Sequence, residues 1–121
     1  MPKVSIAEKF TLFSEHYTPK VIGETNGQYV KLAKVQGEFV WHSHEHEDEL
    51  FLVFKGKLTI KFRDGDVQLG EGEMYIIPKG VEHCPFAEEE TYIMLIEPKA
   101  TAHTGDVEDT RTVAVEDQVW I

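Results

Sequence analysis

At 121 residues, with 41% hydrophobic and 28% charged side chains, the chain has the size of about one globular domain and a composition that excludes a disordered one. Its 12 basic and 22 acidic residues leave a formal charge of -10, which repels phosphate backbones and removes nucleic acid from the expected partners. No apolar run approaches the ~20 residues of a membrane-spanning helix, the lone Cys84 forbids an intrachain disulfide, and no apolar leader follows Met1-Pro2-Lys3, so the expected location is the cytoplasm.

Ser5 and Glu8 stand at capping-box spacing, and Ile6, Phe10 and Phe13 can line one side of a helical turn, which predicts a brief N-terminal helix. From Tyr17 onward the pattern changes to short β-rich runs separated by turn residues at intervals of about ten, the mark of an antiparallel sandwich or barrel. Asn26-Gly27 joins Val21-Ile22 to the run from Tyr29 to Val35, and Asp64-Gly65 joins Leu58–Phe62 to Val67–Leu69; both dipeptides tolerate the positive φ of tight hairpin turns. Leu58, Ile60 and Phe62 alternate with polar residues, so one face meets a core and the other meets water. Gly70-Glu71-Gly72 leads into a strand at Met74–Ile77, and Pro78-Lys79-Gly80 turns the chain before His83. A strand over Thr91–Ile96 closes the barrel and Pro98 ends regular pairing. Residues 1–121 thus read as one domain, with a barrel core over about 29–98 and a polar, acidic tail over about 100–121. Within that tail Val113–Val115 are apolar, and Val119-Trp120-Ile121 are expected to dock an apolar tip on the barrel or on a second subunit.

His42 and His44 are two apart, and in extended backbone such residues point to the same side, so both imidazoles can meet inside a barrel. Glu49 opens the apolar run Leu50–Phe54 and shares its parity with Phe51 and Val53, which turns a carboxylate inward. His83 adds a third imidazole from a neighbouring strand. Such a nitrogen and oxygen set suits one divalent ion of Mn, Fe, Co, Ni or Zn, and the absence of thiolate argues against Cu(I) or iron–sulfur clusters. Four protein ligands leave open positions for water, dioxygen or substrate. Tyr29, Phe51, Phe62 and Met94 are candidates for the apolar wall of a pocket around the ion. No residue is assigned a catalytic role. His46 reads as a solvated loop residue, His16 and His103 as surface or core histidines, and Cys84 as a small buried hydrophobe. Of the lysines, Lys61 falls on a polar strand face, and Lys31, on the parity of Tyr29, is the one candidate for an inward cation.

Gly37-x4-His42-x-His44-x4-Glu49-x6-Gly56 resembles the first motif of the cupin superfamily, and Gly72-x5-Pro78-x-Gly80-x2-His83 resembles the second. The first is one residue shorter between glycine and histidine than the usual form, and Ala87 stands where an asparagine often closes the second. The chain looks most like the small bacterial cupins described as mannose-6-phosphate-isomerase-like. The resemblance implies an all-β fold, a double-stranded β-helix of the RmlC-like jelly-roll type. It also implies that His42, His44, Glu49 and His83 are metal ligands and that the protein is a homodimer, with Leu50, Leu52 and Phe54, opposite the Glu49 face, as the candidate interface.

Two functions of different class fit these residues. In one, the protein is a metalloenzyme acting on a small polar molecule by isomerase, lyase, decarboxylase or dioxygenase chemistry. In the other, the metal organises a non-catalytic pocket that binds or senses a small molecule. Fold alone does not separate them.

Overall fold

The computed structural model describes residues 2–100 and 118–121; His103 and Val113–Val115 lie outside the described residues. The predicted helix is α1, Ile6–Phe10, with the Ser5 hydroxyl accepting from the Glu8 N–H at 3.3 Å. Its apolar side does not enter the barrel. Phe10 stacks on Tyr92 and Phe54, at centroid distances of 4.6 and 5.3 Å, so the helix covers part of the barrel's outer surface.

Eight strands follow among the described residues: β1 Lys20–Thr25, β2 Gln28–Glu38, β3 Glu49–Lys55, β4 Leu58–Phe62, β5 Gly65–Leu69, β6 Met74–Ile77, β7 His83–Pro98 and β8 Val119–Trp120. The hairpins β1–β2 and β4–β5 turn at the two predicted dipeptides, with Asn26 and Gly27 at φ of 51° and 76°. Strand order is β5-β4-β7-β2-β1-β8, with β3 joined to both β6 and β7, giving the all-β jelly roll that the motifs imply. The pairing of β8 with β1 is parallel and seats the tail on the barrel: Trp120 packs edge-on against Tyr29 at 5.4 Å, and Ile121 packs into the cluster beneath α1.

The sequence shows only the second half of β7, Thr91–Ile96, because the exposed acidic run Glu88–Glu90 separates it from His83. In the fold that run is part of one strand, and β7 is the spine of the molecule. β2 pairs along its whole length on one edge, while on the other β4 pairs with residues 83–86 and β3 with residues 92–96. Inward side chains of these strands, among them Val35, Phe51, Val53, Ile60 and Ile93, form the barrel core. A second cluster of Phe10, Phe13, Ile22 and Leu32 lies beneath α1.

The step from β3 to β4 along β7 depends on Gly56, at φ 100°. A Cβ at this position would lie 2.7 Å from Thr91 Oγ1 and 3.2 Å from Thr91 Cα. Thr91 in turn fixes the turn, since its hydroxyl donates to the Lys57 carbonyl at 3.0 Å and accepts from the Lys57 N–H at 3.3 Å. Gly56→Ala is therefore expected to lower unfolding free energy in urea by about 1–3 kcal/mol with an unchanged slope. A midpoint equal to that of the wild type would show that the turn relaxes freely.

Candidate metal centre

The four predicted ligands converge. His42, His44, Glu49 and His83 are 3%, 5%, 2% and 0% exposed, and one ligand atom from each lies within 4.8 Å of every other. Glu49 Oε1 stands 3.4 Å from His44 Nε2 and 3.5 Å from His83 Nε2. Two ligands each about 2.1 Å from an ion are separated by roughly 3–4 Å, so the spread is slightly wider than a closed coordination sphere and needs little movement to close.

Backbone pairing sets this geometry. His42 and His83 form an isolated bridge, each N–H donating to the other's carbonyl at 2.9 Å, which brings the first segment beside the start of β7. The His44 carbonyl accepts from Gly80 N–H at 2.8 Å, and Asp48 Oδ1 accepts from Lys79 N–H at 2.8 Å. The loop between His44 and Glu49 is thereby pinned to the Pro78-Lys79-Gly80 turn. Glu49 opens β3 in register with Ile77, and its inward parity is the one the sequence predicts.

Ring orientation is fixed as well. His42 Nδ1 and His83 Nδ1 each lie 2.9 Å from a carbonyl, of Val40 and Val81 respectively. With Nδ1–H donating outward, each Nε2 presents its lone pair to the centre, as metal-binding imidazoles do. His83 Nε2 and Glu49 Oε1 are buried without a hydrogen-bond partner. Orphaned buried polar atoms cost free energy unless something satisfies them. A divalent cation bound among the four ligand atoms satisfies both, and the donor set fits one.

Charge states agree with that reading. Desolvation, with the neighbouring His83, lowers the pKa of His42 to about 4, so its imidazole is neutral near neutral pH. Burial opposes ionisation of Glu49, but the neighbouring Glu97, His44 and His83 outweigh it and hold the carboxyl well below its usual range. Glu97 shows the reverse: burial and the Glu49 charge push its carboxyl well up.

Of the four candidates for an apolar wall, two stand beside the cluster. Phe51 and Phe62 have ring centroids 6.3 and 6.4 Å from that of His83. Phe51 also lines, with Ala33, Val35, Ile93 and Leu95, a cavity of about 30 Å³ that borders His42 and Glu49. Tyr29 instead lies against Trp120 at the margin of the sheet. Met94 is a correction. It stands in register with Leu52, an outward position of β3, and packs in the cluster beneath α1. Its parity on β7 is opposite to that of Ile93 and Leu95.

Two inward residues, Tyr75 and Glu97, escaped the sequence candidates, while Lys31 is the inward cation that its parity with Tyr29 predicts. Tyr75 packs against the barrel core and Phe62, at 5.8 Å between rings. Glu97 and Lys31 are fully buried and paired, Lys31 Nζ lying 2.9 Å from Glu97 Oε1. Their signal was parity: Glu97 continues the inward series Thr91, Ile93, Leu95, and Lys31 precedes Ala33 and Val35 on the inward face of β2. His46 is exposed, His16 pairs with Glu90 at the surface, and Cys84 is buried.

A family model described as the cupin domain (Cupin_2) matches residues 28–97, more than half of the chain. The chain belongs to the cupin family. This cupin is 35% identical over 98 residues to the uncharacterised protein YdbB of Bacillus subtilis (strain 168), a match covering 80% of this chain and 79% of YdbB. It is similar to the crystal structure of a cupin-2 domain containing protein from Shewanella frigidimarina NCIMB 400, at 55% identity and a TM-score of 0.78 over 78% of this chain and 93% of that one. Protein NMB1881 from Neisseria meningitidis is similar at 28% identity and a TM-score of 0.74, over 80% of this cupin and 99% of that chain. No helix among the described residues is long and apolar enough to cross a membrane.

A folded pKa of about 4 for His42 against an ordinary 6.5 has a definite sign. The unfolded chain takes up this proton first, so the contribution to stability is complete above pH 6.5 and is lost as pH falls toward 4, by on the order of 3 kcal/mol. In metal-free protein, His42→Gln should remove that part of the pH dependence in urea unfolding. Parallel wild-type and variant curves across this window would contradict the assignment.

Proposed function

We propose that this cupin is a divalent-metal-dependent enzyme acting on a small molecule, with His42, His44, Glu49 and His83 as the ligands. The convergence of four buried ligand atoms, with His83 Nε2 and Glu49 Oε1 lacking a hydrogen-bond partner, carries the reading. Mn, Fe, Co, Ni and Zn all suit the donor set. The ion, when bound, supplies Lewis acidity at the coordination positions that protein leaves open.

The chain's own residues define what can reach those positions. His42 and His83 hold their protons on Nδ1, against carbonyls, and keep Nε2 free for coordination. Phe51, Phe62, Val35, Ile93 and Leu95 surround the cluster with apolar surface that excludes water and strengthens electrostatic contacts within. The buried cation Lys31 is paired with Glu97, which leaves recognition of a polar substrate group to the metal itself. A small molecule with one oxygen-bearing end for the ion and a compact apolar remainder fits this arrangement. A cytoplasmic location belongs to the same proposal.

Metal analysis of untagged protein is expected to find about one divalent ion per chain, and His44→Ala or His83→Ala to weaken binding by 10-fold or more, roughly the least expected from deleting a ligand. Retention of full affinity in both variants would remove the site. With the metal-loaded protein, oxygen consumption and turnover of sugars, keto acids and phenols can be followed. Stoichiometric binding with no turnover across that set would replace the enzyme by a metal-organised binding or sensing module.

We further propose a homodimer through the outer face of β3 and β6. Leu50 stands in register with Ile76 on one side and Ile96 on the other, and Leu52 likewise with Met74 and Met94, giving two apolar rows across three strands. Met74, Ile76 and Phe54 are 51%, 49% and 40% exposed, a contiguous patch of the kind that marks an interface. Sedimentation is expected to give a dimer for the wild type and a monomer for the Met74→Glu/Ile76→Glu double variant. A monomeric wild type would exclude this interface.

A further inference from the structure

The barrel interior holds two charged side chains that the four-ligand cluster does not include. Lys31 on β2 and Glu97 near the end of β7 are 1% and 0% exposed, with Nζ and Oε1 2.9 Å apart. Glu97 also neighbours Glu49 across the β3–β7 pairing, and each carboxyl shifts the other's ionisation. Strand register places them so. Leu50 pairs with Ile96, which sets their neighbours Glu49 and Glu97 side by side on the inward face, and Glu97 pairs with Tyr29, two residues before Lys31. A row of three buried ionisable groups therefore runs Lys31, Glu97, Glu49 and ends at the imidazole nitrogens of His44 and His83.

Stability does not account for this row, because apolar residues of similar volume often replace a buried ion pair at no loss or with a gain. Geometry does. A liganding carboxylate can bind through one oxygen or two, and the choice is set by what holds the oxygen that faces away from the ion. Glu49 aims Oε1 at His44 and His83, and a second carboxyl, itself anchored by an ammonium group, stands beside it in the strand register.

We propose that Glu97, anchored by Lys31, is a positioning residue that holds Glu49 for coordination through one oxygen and so keeps a position on the metal open to a ligand. This rests on the metal reading of His42, His44, Glu49 and His83. Neither Lys31 nor Glu97 touches the ion; their effect passes through Glu49.

Cobalt(II) titration of the full chain tests it, with visible absorption reporting coordination number and the titration reporting affinity. Glu97→Gln, whose amide can still hydrogen-bond to Glu49, should keep the wild-type spectrum. Glu97→Leu should alter the spectrum and weaken cobalt binding about 10–100-fold, as loss of an outer partner of a ligand does. The Lys31→Met/Glu97→Leu double variant should regain thermal stability without regaining spectrum or affinity, an outcome that a mere plug of the barrel does not produce. Wild-type spectrum and affinity in either leucine variant would overturn the proposal. Should both leucine variants be unfolded, Glu97→Asp, which withdraws the carboxyl by one methylene, takes their place, and an unchanged spectrum there overturns it equally. A wild-type protein that takes up no cobalt removes the metal reading and this inference together, whereas normal uptake with indifferent Glu97 variants removes the inference alone.

Discussion

A buried carboxylate surrounded by imidazoles is the constraint on which this structure turns. Glu49 sits 2% exposed among His42, His44 and His83, in an interior otherwise dominated by Phe, Val, Ile and Leu. Charge placed there is costly unless paired, and the nearest imidazole nitrogens cannot pair with it while neutral. His42 is held neutral by the same burial that surrounds Glu49. A divalent cation answers both needs, joining the lone pairs of the rings to the charge of the carboxylate.

β7 positions much of this site, together with the Pro78-Lys79-Gly80 turn that pins the loop between His44 and Glu49. Its first residue, His83, bridges His42, its following residues pair β4, and its second half pairs β3 so that Glu49 starts its strand beside Glu97. One strand thus serves both parts of the site, with a register shift against β2 at Glu88–Glu90 between the segments that pair β4 and β3. Gly56 is what allows the chain to step between them. The outer face follows from the same register: each inward residue of β3 has an outward apolar neighbour, and those neighbours line up with β6 and β7 into the proposed dimer surface.

Hairpins at Asn26-Gly27 and Asp64-Gly65, the cap at Ser5 and the metal-competent quartet were legible in the chain because each rests on local chemistry: positive φ, a hydroxyl at helix-start spacing, or residues two apart in extended backbone. Met94 was misplaced for want of register, since a strand with apolar residues on both faces does not show which of them looks inward. Lys31 was legible as an inward cation from its parity with Tyr29, but its partner Glu97 was missed for a related reason. Charged residues on a β-strand default to the solvent face, and only the inward parity of Ile93 and Leu95 marked Glu97 as an exception.

The sequence by itself determined the all-β class, the turns, the four residues able to hold an ion and the exclusion of a disulfide, all of which depend on residue type and short spacing. Tertiary structure alone decided that α1 covers the outside of the barrel, that β7 is one strand of 16 residues, and that a second carboxyl stands behind Glu49. Those features depend on pairing between residues as distant in the chain as Glu49 and Glu97. Such pairing is selected by the summed burial of whole strands, so no single residue announces it.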